Sequence, residues 1–138
     1  MHRFVEDDPA RSCPDVLGNE ISLFIDPATA QQVTDLMAEA VASKLTMAQV
    51  PGYAIAGKTG TAQIPITGGY DPANVITSFI GFGPLPDPEI LVLVKIDKPN
   101  IDPNLRWGTR TAARVFSRVA ERLFVLLGIP PSDLRAEP

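Results

Sequence analysis

The sequence has one cysteine, Cys13, and one histidine, His2. A lone cysteine excludes an internal disulfide, and without a cluster of cysteine and histidine there is no tetrahedral zinc site, so no metal is expected. Basic residues are also in deficit: 12 Lys and Arg against 16 Asp and Glu give a net charge of -4. Proteins that bind nucleic acid displace its counterions through a basic footprint, so nucleic acid is not an expected partner. No run approaches the ~18 apolar residues of a membrane span. The opening MHRFVEDDPARSCPD lacks the apolar middle of a secretory signal. If the protein works outside the cytoplasm, its targeting segment is expected on sequence absent here.

What is present is ordinary globular composition. Of the 138 residues, 45% are apolar and 20% charged, too apolar for a disordered chain and enough for one core. Residues 1–19 mix acids, prolines and glycine without clear period and read as an irregular or partly extended lead-in. Glu20 to Ile25 (EISLFI) is a strand candidate. Asp26 followed by Pro27 supplies an N-cap and a proline at the first helical position. Ala30, Val33, Met37, Ala40 and Val41 then follow at helical spacing, which predicts a helix from Pro27 to Ser43.

Leu45 to Gly52 is a connector. Three strands are predicted next, Tyr53 to Ile64, Val75 to Gly83 and Glu89 to Asp97. The links GGYDPAN and PLPDP are too short for a crossover helix, so an antiparallel meander is expected. Phe79 and Phe82 fall on opposite strand faces and are expected in core. Ile90 to Val94 is apolar on both faces, which predicts cover on both sides. A final helix from Thr109 to Leu127 is closed by Gly128 and Pro130-Pro131, leaving a tail at 129–138. The fold class is α+β, one domain without internal repeats. Arg106, Arg110, Arg114, Arg118 and Arg122 recur every four residues and read as a solvated helix back, the alternative being a membrane or partner surface.

The segment GYAIAGKTGTAQIP, Gly52 to Pro65, fits two patterns. Gly52 to Thr59 satisfies the phosphate-loop pattern G-x-x-x-x-G-K-[ST], and Lys58-Thr59-Gly60 is the Lys-Thr-Gly signature of penicillin-interacting serine enzymes. A phosphate loop needs a glycine-rich bend opening a helix. Here Gly60, Pro65, Gly68 and Gly69 would break any helix, although ILVLVKID imitates the apolar strand ending in aspartate that holds magnesium. The second pattern needs a strand, and the residues suggest one. Lys58 would give fixed positive charge, and the threonine hydroxyls would donate to a carboxylate. Gly60 leaves the strand edge bare for an extended substrate to approach. Strict pleat alternation puts Lys58 and Thr59 on opposite faces. Taken alone, the motif could also be a solvated edge strand with no function.

AGKTGTAQIP, the upstream MAEAVASKLTMAQVPGY, the downstream SFIGFGPLPDPEILVLVKIDKP and AARVFSRVAERLFVLLGI together resemble the C-terminal part of the transpeptidase domain of class B penicillin-binding proteins, in the β-lactamase/DD-peptidase superfamily. The resemblance covers roughly Asp26 to Ile129. It implies a peptidoglycan D,D-transpeptidase that transfers an acyl group from D-Ala-D-Ala stem peptides, on the outer face of the bacterial cytoplasmic membrane, without cofactor. Lys58 would bond the serine of a Ser-x-Asn motif on another segment. Thr59 and Thr61 would bind the carboxylate of a stem peptide or β-lactam, and the Thr61 N–H would be an oxyanion-hole donor. Tyr70 would lie in a loop over the cleft mouth, touching substrate or packing on its own turn. Trp107 would be a packing anchor or a cleft-rim residue. Where the family commonly shows Gly-Gly and then Ala-Ala-Pro-x-Phe, this chain has Trp107-Gly108 and Ala112-Ala113-Arg114-Val115-Phe116. Arginine in place of that proline predicts a helix longer by a turn.

That mechanism needs a serine three residues before a lysine. Ser12, Ser22, Ser43, Ser78, Ser117 and Ser132 are followed three residues on by Asp15, Ile25, Thr46, Gly81, Ala120 and Arg135, and none begins Ser-x-Asn. His2 in the lead-in cannot supply a triad. The expectation is therefore a single partial domain over 1–138, one wall of the site, not competent alone. Its partners would be the missing N-terminal part of the transpeptidase domain and the stem peptide or β-lactam. No membrane contact is required of this chain, and its membrane anchor would lie on a segment absent here. An open sheet edge near Lys58 predicts self-association. The alternative is a non-catalytic module that keeps the fold to bind peptide or a partner protein.

Overall fold

The structure, a computed structural model, describes residues 12–14, 20–22 and 25–135. It divides into two compact units, Met1–Thr34 and Asp35–Pro138. In the first, β1 (Ser12–Pro14) pairs antiparallel with β2 (Glu20–Ser22), Cys13 opposite Ile21. Within the lead-in, Ser12–Pro14 is the extended piece, too short to show a period in the sequence. Of the strand expected from Glu20 to Ile25, Glu20–Ser22 is strand, and residues 23 and 24 lie outside the described residues.

The helix α1 (Pro27–Ser43) has the predicted bounds. Its start is fixed locally, because Asp26 Oδ1 accepts from the Thr29 N–H at 2.9 Å and Oδ2 from the Thr29 hydroxyl at 2.6 Å. Those bonds favour the ionised carboxylate and hold Asp26 below the ordinary aspartate value of 3.8. At the other end the Gln49 amide donates to the carbonyls of Val41 at 3.3 Å and Ala42 at 2.8 Å, occupying acceptors that a helix end leaves open.

The second unit is built on the expected meander. Strands β3 (Ala56–Ile66), β4 (Gly69–Gly83) and β5 (Ile90–Asp97) form an antiparallel sheet in that order, so β3 is an edge. The link GGYDPAN is not a loop. Strands β3 and β4 run on to a two-residue turn at Thr67-Gly68, where Gly68 takes φ 85, and Tyr70 to Asn74 belong to β4. Glycine supplies the positive φ such a hairpin needs. Pro65, which cannot donate to a ladder, is accommodated on the edge strand beside a register irregularity between Gln63 and Pro65. Strand β3 starts at Ala56 rather than Tyr53, the earlier residues making only a bridge between Val50 and Tyr53.

The helix α2 (Ala112–Leu127) packs on one face of this sheet through its apolar stripe, with Ala112, Ala113, Phe116, Ala120 and Phe124 buried. Phe116 meets Phe79 of β4 at a ring separation of 4.7 Å. The sheet admits that ring because position 81 is glycine, where a Cβ would lie 2.6 Å from Phe116 Cζ. Tyr53 stacks on Phe124 at 4.2 Å and donates its hydroxyl to the Ile129 carbonyl at 3.0 Å. The helix closes as expected: Gly128 is left-handed at φ 67, and the Ile129 N–H returns to the Phe124 carbonyl at 2.9 Å.

Two expectations need correction. The helix begins at Ala112, not Thr109, because residues 108–111 form a turn, yet it starts two positions before Arg114, where a proline at the first position would have set the start. Arg106 and Arg110 consequently precede it, leaving Arg114, Arg118 and Arg122 on its exposed side. Strand β5 is covered on one side only among the described residues. Val92, Val94 and Ile96 pack against the core, whereas Leu91 and Leu93 are 64% and 61% exposed. Phe79 is fully buried and Phe82 half-buried.

Candidate functional site on the edge of the sheet

Lys58, Thr59, Gly60 and Thr61 lie in the middle of β3, opposite Ile80, Phe79, Ser78 and Thr77 of β4. The phosphate-loop reading is thereby excluded, since Gly57-Lys58-Thr59 is extended ladder and no helix follows it. Side chains alternate across a sheet. Phe79 and Thr77 are buried on the α2 side, which puts their partners Thr59 and Thr61 on that side too. Lys58 shares the other face with Ile80 and Leu93. The separation of Lys58 from the threonines expected from the pleat is therefore real.

Lys58 is exposed, and its ammonium curls along the strand to donate to the Thr59 carbonyl at 2.8 Å. No carboxylate pairs with it among the described residues, whose ion pair is Arg135 with Glu89. Its other donors therefore face solvent. Thr61, also exposed, is met from the α2 side by the Gly108 N–H, which donates to Thr61 Oγ1 at 3.3 Å.

Gly108 comes this close because it has no side chain. A Cβ there would lie 2.6 Å from the Gly60 carbonyl oxygen and 2.9 Å from that of Ser78, both fixed backbone atoms. At Gly60 itself a Cβ would meet Ser78 Oγ at 2.5 Å, a side-chain atom. Sequence reading noticed Gly108 only as part of a departure from a pattern. Its contact joins segments 47 residues apart, a spacing that no local periodicity reports. Trp107 stands 57% exposed beside the site.

Tyr70 is not brought to this cluster. It pairs with Pro65, seven positions along β3 from Lys58, a separation of about 23 Å at the usual rise of a strand. It is 62% exposed on the hairpin. Next to it Asp71 accepts from the Asn74 side chain at 2.9 Å and the Ala73 N–H at 2.8 Å, which hold its carboxyl below the ordinary range. A cavity of about 820 Å³ lies elsewhere, between the last turns of α1 and residues 49–55, and none of Lys58 to Thr61 lines it. No cluster of metal-ligating side chains occurs among the described residues.

The edge thus offers an ammonium, two hydroxyls and an unpaired strand margin. Such a set suits an extended chain ending in an anion. A family model described as the penicillin binding protein transpeptidase domain matches residues 19–121. A peptidoglycan D,D-transpeptidase FtsI homolog of Mesostigma viride is 36% identical over 108 residues, 77% of this chain and 18% of that protein. Stage V sporulation protein D of Bacillus subtilis is 38% identical over 88 residues, 64% of this chain and 13% of that protein. Among solved structures, the apo TP domain of Burkholderia pseudomallei penicillin-binding protein 3 superposes with a TM-score of 0.72 at 29% identity, covering 87% of this chain and 37% of that one. The chain spans 12% to 18% of the length of the FtsI homologs it matches. Its two long helices and three-stranded antiparallel sheet are part of the DD-peptidase fold. The chain belongs to the penicillin-binding protein transpeptidase domain family.

Proposed function

We propose that residues 1–138 form a C-terminal portion of a peptidoglycan D,D-transpeptidase domain and carry the Lys-Thr-Gly wall of its active site. The observation that carries this reading is the placement of Lys58, Thr59 and Thr61 on the edge strand, with no carboxylate paired to the ammonium among the described residues. A D-Ala-D-Ala stem peptide, or a β-lactam in its place, would lie along β3 with its carboxylate held by the Thr59 and Thr61 hydroxyls. The Thr61 N–H would receive the oxyanion as the acyl carbon becomes tetrahedral, a contribution of about 3 to 4 kcal/mol in acyl-transfer enzymes. Lys58 would keep the site electropositive and bond a serine from a Ser-x-Asn motif. The attacking serine and its lysine base would come from a Ser-x-x-Lys motif outside these residues, because no serine here precedes a lysine by three positions. The terminal D-Ala would leave, and a neighbouring stem-peptide amine would take the acyl group. Such work belongs outside the cytoplasmic membrane. No helix among the described residues is long and apolar enough to cross one.

The same lack of a nucleophile favours a second reading, a module that binds peptide without turning it over. Labelled benzylpenicillin separates the readings. The 138-residue chain alone should form no covalent adduct. A polypeptide joining these residues to the Ser-x-x-Lys and Ser-x-Asn segments should be acylated, and Lys58→Ala should slow that reaction by about 10²- to 10³-fold, the size of losing one preorganised group. Stoichiometric labelling of the chain alone, or a Lys58→Ala rate equal to the unsubstituted one, overturns the transpeptidase-wall reading.

A further inference from the structure

The Trp107–Gly108 peptide links the site to the interior. Its carbonyl accepts from the Arg110 N–H at 2.9 Å, the Thr111 N–H at 3.1 Å and the Thr111 hydroxyl at 2.9 Å. In a planar trans peptide the N–H points opposite to the carbonyl, so anchoring that oxygen in the turn aims the Gly108 N–H outward at Thr61 Oγ1. Thr111 Oγ1 also lies 2.9 Å from Thr77 Oγ1. Each hydroxyl has one proton, and a carbonyl only accepts. The Thr111 proton is therefore committed to Trp107, and Thr77 donates to Thr111. Both side chains are buried, Thr77 completely and Thr111 to 8% exposure, and Thr77 stands directly opposite Thr61 in the ladder. No water competes for these bonds, which gives the chain of hydrogen bonds a single direction.

The consequence falls on Thr61. Its oxygen is engaged on the inner side by a donor, so its own proton is directed to the exposed side. We propose that Thr111 and Thr77 are positioning residues that set Thr61 as an outward hydrogen-bond donor, making the site select a free terminal carboxylate over the corresponding amide. A carboxylate only accepts, matching a donor wall, whereas a carboxamide turns its NH₂ donors toward donors and leaves them unpaired. This rests on the reading of Lys58 to Thr61 as a carboxylate-binding wall.

The test titrates the 138-residue chain with N-acetyl-D-alanyl-D-alanine and with its C-terminal amide, reading dissociation constants from the Thr61 and Gly108 amide NMR signals. The unsubstituted chain should prefer the acid by about tenfold, as one hydrogen bond to a charged group allows. Thr111→Val should bring that preference below about threefold, and Thr111→Ser, which keeps the hydroxyl, should retain it. If Thr111→Val does not fold, Thr77→Val carries the same expectation. A folded Thr111→Val or Thr77→Val chain that keeps the full preference overturns the positioning role while the carboxylate wall stands, and so does a Thr111→Ser chain that loses it. An unsubstituted chain that binds both peptides equally, or neither, overturns the wall and the positioning role together.

Discussion

Gly108 shows how much the site depends on single residues whose importance is spatial. A methyl group there would strike two carbonyl oxygens of the sheet, and neither can rotate aside. Gly108→Ala should therefore push the turn off β3 and lose the bond to Thr61, with a stability loss of about 1–3 kcal/mol, the usual range for overpacking. Urea denaturation measures the loss, and the Thr61 amide shift reports the displaced turn. Gly60→Ala differs, because its methyl meets the Ser78 hydroxyl, which can turn away. It should cost about 1 kcal/mol or less and instead obstruct the bare edge, so its signature is weakened binding of an N-acetyl-D-Ala-D-Ala peptide with nearly unchanged denaturation. Lys58, Thr59 and Thr61 could be singled out as candidates in the sequence because Lys-Thr-Gly is contiguous. Gly108, Thr111 and Thr77 were not, since their contacts join the turn before α2 to β3 and β4, segments far apart in the chain. Tyr70 drew attention because the family resemblance puts its segment in a loop over the cleft mouth, yet here the ladder carries it down the hairpin away from Lys58.

Among the elements, α1 was read with its own bounds because Asp26-Pro27 is a local start signal and Thr29 completes the cap. The Asp26 carboxyl is held below its ordinary value, so its capping contribution is present above pH 3.8 and is lost as pH falls through its lowered folded value. Acid titration should fray the first turn of α1 in that range, whereas Asp26→Asn, which caps without titrating, should remove this pH dependence. Amide exchange at Thr29 and Ala30 checks it. Strand β4 was read six residues short, from Val75 instead of Gly69, because glycine, aspartate and proline are turn formers whose local preference the hairpin overrides. The alternation of β5 was hidden by an unbroken apolar run, and only the fold shows which half faces α2. Phe116 links α2 to the sheet through Phe79 and the open shelf at Gly81. Phe116→Ala should cost about 3–5 kcal/mol in thermal or urea unfolding, and a cost under about 1 kcal/mol would show that this ring does not hold the helix.

For the whole molecule, the face of the sheet opposite α2 presents Ile80, Leu91 and Leu93 at 38%, 64% and 61% exposure, next to the unpaired edge of β3. Exposed apolar sheet surface of this kind favours association. The 138-residue chain alone is expected to self-associate with rising concentration in sedimentation, and Leu91→Lys with Leu93→Glu should return it to monomer. A chain that stays monomeric across a wide concentration range speaks against that use of the face. The most direct test of the central claim is a residue-resolved NMR map of the chain titrated with N-acetyl-D-alanyl-D-alanine. A transpeptidase wall predicts saturable shifts confined to Lys58 through Thr61 and Gly108, abolished by Lys58→Ala. Shifts centred on the cavity of residues 49–55, or shifts that survive Lys58→Ala unchanged, would contradict it.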